Sequence, residues 1–220
     1  MERFLFILLA AAVIGAAIYF SRLRRKKLSA WAASLGLAFV AGHDRSFDDR
    51  FSFRCLRQGH SRSAYNVMSG RVSDRDILAF DYRYVTGHGK NRSTHTFSAV
   101  IIVSEVPLKP LKIRAENVFD RVAEFFGADD IDFESAEFSR AFHVKGPDRK
   151  WAFDVLHQRT IEFLLSKPRF SLEMSDREMI VWRGGTFSPE RFDEALEVGG
   201  GVLDRLPRYI VKDSTKEIDG

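Results

Sequence analysis

"DILAFDYRYV" (76–85) and "THTFSAVIIV" (94–103) alternate apolar and polar side chains with the period of two that marks a strand. The two runs can be laid antiparallel in one register, with Tyr84 opposite His95, Tyr82 opposite Phe97, Phe80 opposite Ala99 and Leu78 opposite Ile101. One face of the pair is then largely apolar, and the other sets Arg83 against Thr96 and Asp81 against Ser98. A slip of one residue would mix the two faces, so the register is strongly specified. The connection "TGHGKNRS" (86–93) is long for a hairpin loop.

Working outward from this pair, "YNVMSGRV" (65–72) predicts a third antiparallel strand. "AFVAG" (38–42), "LKIRA" (111–115) and "AFHVKG" (141–146) predict further short strands. "RFSLEM-SDR-EMIVWR" (169–183) reads as a second hairpin, whose three-residue turn keeps Glu173 from facing Glu178. "HDRSFDDRFSFRCLRQGHSRS" (43–63) is polar and basic with scattered aromatics and predicts irregular structure.

Three segments carry helix signals. "NVFDRVAEFFG" (117–127) has an Asn117 cap, an apolar stripe and a Gly127 stop. "DRKWAFDVLHQRTIEFLL" (148–165) is helical with a break near His157. "SPERFDEALEVGGGVLDRLP" (188–207) opens with a Ser188 cap and Pro189 at the first helical position. Each glycine of Gly199–Gly201 would cost about 1 kcal/mol inside a helix, which predicts a break or strong fraying there. Strands and helices are grouped rather than strictly alternating, so the expected class is α+β, an antiparallel β-sheet with packed helices.

The 220 residues carry a net charge of +4, distributed unevenly. Residues 1–27 hold six Lys/Arg and one acid, whereas the remainder holds 28 bases and 29 acids. The domain therefore lacks the surplus expected of a phosphate-backbone binder, and no nucleic-acid partner is expected. Cys55 is the single cysteine, so no intramolecular disulfide can form.

"FLFILLAAAVIGAAIYF" (4–20) is seventeen uncharged, mostly apolar residues, about 25 Å of helix. The basic block "RLRRKK" follows it instead of preceding it, against the order of a cleaved signal peptide. This pattern predicts a transmembrane anchor over 1–20 and a basic juxtamembrane segment with a short helix over 21–36, ending at Gly36. A cytoplasmic α+β domain over 37–220 would follow. Arg22, Arg24, Arg25, Lys26 and Lys27 would set the topology by the positive-inside rule. The expected location is the inner (plasma) membrane, single-pass, with the N-terminus out and membrane lipid as a partner through the N-terminal helix. Ala11 and Gly15 offer a small-xxx-small pair for weak self-association.

Candidate chemistry is sparse. "GADDIDFESAEFSRAF" (127–142) carries five carboxylates from Asp129 to Glu137. Asp130, Asp132 and Glu134 fit positions 1, 3 and 5 of a calcium loop, but Ser135 stands where Gly is required and Ala141 where Glu is required. Alternation instead turns Ile131 and Phe133 inward and the acids into water. His43, His60, His88, His95, His143 and His157 form no zinc spacing, and a grouping of Asp81 with His60, His88 and His95 has no motif behind it. His95, beside Tyr84, is expected to be buried and hydrogen-bonded, and His88 to be exposed at a loop tip. "TGHGKN" departs from a phosphate loop in residue and in context. Arg54 and Arg57 flank Cys55 and would lower its pKa. No cofactor or metal is expected.

The segment "DFESAEFSRAFHVKGPDRKWAFDVLHQRTIEFLL" (132–165) resembles the core signature of an uncharacterised bacterial family known only as a domain of unknown function. The matching parts are Glu137-Phe138, the strand Phe142-His143-Val144, the turn Asp148, and the helical run Ile161–Leu165. The resemblance implies the same membrane-anchored α+β layout and brings no catalytic residues with it. The leading expectation is a non-enzymatic, membrane-tethered interaction or scaffold domain with an unknown protein partner. Its contact surfaces would be the basic 43–75 region and the loop carrying His88, Lys90, Asn91 and Arg92. A lipid or small-ligand binding module, with the apolar face of the sheet open to a pocket, is the alternative. A metal-assisted hydrolase comes third.

Overall fold

The computed structural model describes residues 2–116 and 131–210 and, within the first helix, the side chains of Phe6, Leu8, Leu9 and everything from Ala11 onward. The helix expected over 117–127 lies outside the described residues, as do Asp129 and Asp130.

Helix α1 (Glu2–Ser34) runs without interruption through both segments that the sequence divides at residue 20. Gly36, at φ +71°, ends it as expected. Leu37 N donates to Ala32 O and Gly36 N to Ala33 O, a Schellman closure that satisfies two of the last carbonyls. The last turns are docked, because Leu28, Trp31 and Ala32 are buried. The side chains from Phe6 to Phe20 that are described stand clear of the sheet.

Among the described residues, no helix is long and apolar enough to cross a membrane. This corrects the single-pass anchor expected over 1–20. The uncharged run 4–20 has seventeen residues, about 25 Å of helix, whereas a span needs about 20 residues. Within the basic block, Arg24 is tied to the sheet.

Six antiparallel strands follow, β1 (Ala38–Val40), β2 (His60–Val72), β3 (Arg75–Thr86), β4 (Ser93–Ala115), β5 (Phe142–Lys145) and β6 (Ser171–Gly184). The β3–β4 register is the one read from the sequence, Tyr84↔His95 through Leu78↔Ile101, with Arg83↔Thr96 and Asp81↔Ser98 on the other face. β2 pairs with β3 through a bulge at Tyr65–Met68, where Asn66 takes φ +50°, a conformation asparagine tolerates. β6 lies along one edge of β4, while β3 and β5 share the other.

Two strand expectations change. "LKIRA" is the far end of the 23-residue β4 rather than a strand of its own. β6 is one continuous strand and not a hairpin. The "SDR" turn signal is absorbed as an irregularity at Asp176, which takes φ +55° opposite Leu108.

The helices α2 (Ala136–Ala141), α3 (Arg149–Val155), α4 (Gln158–Ser166) and α5 (Pro189–Leu203) pack with α1 on one face of the sheet. The break between α3 and α4 falls at Leu156–His157, as expected. Ser188 caps α5 by accepting from Arg191 N, with Pro189 at its start. The break expected at Gly199–Gly201 is absent, because α5 runs on to Leu203. The glycines serve close approach there. A Cβ on Gly199 would fall 2.5 Å from Ile102 Cδ1 and 2.8 Å from Val181 Cγ2, and one on Gly201 would strike the Phe163 ring. Tertiary packing therefore overrides the local helix penalty.

The opposite face of the sheet is covered by residues 47–57. Phe47, Phe53, Cys55 and Leu56 are buried against Phe80, Tyr82, Phe97 and Ala99, and Tyr82 Oη donates to Leu56 O at 2.7 Å. A segment read as a polar, irregular contact region is thus in good part a core plug. Both faces of the sheet are buried, and this accounts for apolar residues at consecutive positions in β4 such as Val100, Ile101 and Ile102.

Candidate functional site

Phe97 and Lys112 lie on the same strand, about 50 Å apart if β4 were straight, yet they line one cleft. The β4–β6 ribbon must therefore curl. Its ladder loses register between Val103 and Leu111, where β4 inserts extra residues and β6 does not. Pro107 and Pro110 fall in this stretch and have no N–H to give to a ladder, so bulging costs little there. Bulges bend the strand and raise its twist, and this brings the two ends of the ribbon around the plug. The 3-10 turn Arg54–Arg57 forms a third side.

The resulting cleft has a volume of about 730 Å³, within the range of small-molecule sites. Its wall is aromatic. Tyr84 and His95 stack at 4.9 Å, and the rings of Phe97 and Trp182 lie 5.5 Å apart. Trp182 Nε1 is a buried donor with no hydrogen-bond partner among the described residues. His95 shares a 2.7 Å hydrogen bond with Thr86 Oγ1 and is exposed along the cleft, so the expected hydrogen bond is present and the expected burial is not.

Among the described residues, four bases line the cleft, Arg54, Arg57, Lys112 and Arg114, against one acid, Glu173. Glu173 is 8% exposed and accepts from Arg54 N at 2.8 Å. Burial raises its pKa above the usual carboxylate value, opposed by the Arg54 N–H and by the charge of Lys112, its cross-strand partner. Cys55, behind the turn, is buried and its thiol is pushed well up by desolvation, with the Glu173 charge adding to the effect. Flanking arginines do not activate it.

The other sequence candidates are dispersed. His88, Lys90, Asn91 and Arg92 stand exposed on the β3–β4 connection, which contains a 3-10 turn over Gly89–Asn91. His88 stacks flat on His60 at 5.0 Å, and His60 Nε2 bonds Gly87 O at 3.1 Å. His95 pairs with Tyr84, on the other face of the sheet from Asp81, so the grouping of Asp81 with His60, His88 and His95 is not assembled. Among the described residues, no group of three or more His, Cys, Asp or Glu is placed to hold a metal ion. In the acidic stretch Ile131 is buried and Phe133 half-buried, while Asp132, Glu134 and Glu137 face water and Ser135 caps α2. Arg22, Arg25, Lys26 and Lys27 are exposed.

Arg24 behaves differently. Its guanidinium is bidentate on Asp81, which also accepts from Asn66 Nδ2 at 2.8 Å and Ser98 Oγ, and its Nη2 reaches Phe187 O at 2.9 Å. This network was missed in the sequence, although an aspartate inside an apolar strand and opposite a serine was a signal for it.

No protein-family model matches this chain, and no curated protein sequence matches it. Among solved structures, the crystal structure of the mycobacterial trehalose monomycolate transport factor A, TtfA, is similar, with a TM-score of 0.62 at 14% identity over 83% of this chain and 96% of that chain. At that identity the likeness is one of fold.

Proposed function

We propose that this chain is a non-enzymatic binding module that seats one small amphiphilic molecule in the cleft between the curled ends of β4 and β6. The observation that carries the reading is the lining itself. Tyr84, Phe97 and Trp182 supply apolar, stackable area, and polar groups converge on it from three sides. The similar fold of a transport factor for trehalose monomycolate supports a lipid-related role over the scaffold role that the sequence put first.

The three tryptophans provide a site-resolved test. Trp182 lines the cleft, whereas Trp31 donates to Asp193 under α1 and Trp151 is buried among the helices. Octyl glucoside and octyl phosphate, titrated below their micelle thresholds into the 15N-labelled full chain, should shift the Trp182 indole resonance and leave those of Trp31 and Trp151 in place. Trp182 unmoved by either compound at millimolar concentration overturns the reading.

A further inference from the structure

We infer that the polar end of the molecule this cleft takes is anionic, a phosphate, sulfate or carboxylate head group carried on an apolar body. The inference rests on the cleft being a binding site as proposed above, and deepens it by naming the head group. From residue 28 onward the chain has one more acid than base, so a basic surplus at one place is not inherited from its composition. Within the cleft the balance is reversed, with four bases to one acid.

That one acid is already engaged. Glu173 accepts the Arg54 backbone N–H, lies beside Lys112 in the ladder and is largely withdrawn from solvent. Low-dielectric aromatic walls strengthen the field of the cations on anything that displaces water from the cleft. Arg57 enters from the 3-10 turn and Lys112 from β4, so an anion between them would be held from two elements rather than from one flexible side chain. Aromatic faces favour cations over anions, so a preference for an anionic head group has to come from the cationic side chains.

The test uses the same Trp182 resonance with three probes, octyl phosphate, octyl glucoside and inorganic phosphate. Octyl phosphate is expected to bind at least tenfold more tightly than octyl glucoside, and its affinity should fall steeply with added salt. Arg57→Gln with Lys112→Gln should remove that preference, weakening octyl phosphate far more than octyl glucoside. Glu173→Gln, which subtracts the opposing charge, should tighten octyl phosphate several-fold and gives a second handle if the double variant fails to fold. Equal affinities for the two amphiphiles, indifferent to these substitutions, overturn the anionic head group and leave the binding module standing. Silence from both amphiphiles overturns the module itself. Inorganic phosphate binding as tightly as octyl phosphate overturns the apolar body, because the site would then serve a free anion.

Discussion

Arg24 on α1 and Asp81 at the centre of β3 form a bidentate ion pair across 57 positions of sequence, at 2.5 and 2.9 Å, with the aspartate fully buried. The pair fastens the helix to the sheet at the point where Ser98 and Phe187 also meet. Removing one partner of a buried pair leaves the other charge unpaired in a poor solvent. Arg24→Met should therefore lower unfolding stability by about 3 kcal/mol. Asp81→Asn in the same background should recover part of that loss, giving a positive coupling in a double-mutant cycle measured by urea unfolding.

Ser98 accepts the Phe187 N–H at 2.9 Å and donates to Asp81, so one hydroxyl joins β4, β3 and the entry to α5. Ser98→Ala leaves a buried N–H and a carboxylate oxygen without that partner. A loss of about 2 kcal/mol is expected, read as a lowered urea midpoint with an unchanged slope.

The three consecutive glycines of α5 should respond with opposite signs. Gly199→Ala places a methyl 2.5 Å from Ile102 Cδ1 and should destabilise by about 1–3 kcal/mol through overpacking. Gly200→Ala meets nothing nearer than Arg75 Nη1 at 3.7 Å, and should stabilise by about 1 kcal/mol through helix propensity. Thermal unfolding of the two variants side by side separates packing from propensity.

Glu173 makes a pH signature. Its folded pKa lies above the ordinary value of 4.5 because of burial, so the folded state holds the proton more tightly than the unfolded one. Its contribution to stability is thus greatest below 4.5, declines as pH rises from there through the raised value, and is flat beyond. Glu173→Gln should abolish this part of the decline, so that the variant gains on the parent between those two points and holds a constant advantage above them. Urea unfolding from pH 4 to pH 8 measures it.

The alternation of residues 76–103 determined the central hairpin to the residue, because a strand with two distinguishable faces admits one register. Local signals with a single physical meaning also carried through, among them the Ser188 cap, the Gly36 stop and the break at His157. Half of the candidate site was legible in the same way, since Tyr84, His95 and Phe97 were already placed on adjoining strands. What only the tertiary structure decided is everything that depends on the partner across a gap. "SDR" turns a hairpin when β6 is read alone, but β4 is long enough to pair along all of β6, and the longer ladder wins. Gly199–Gly201 breaks a helix in isolation and tightens one against Ile102, Val181 and Phe163. A basic block reads as a flank of a membrane span until Asp81 claims one arginine from it. The curl that joins Phe97, Trp182 and Lys112 in one cleft comes from bulges, and bulges are properties of two strands together, which no single run of residues specifies.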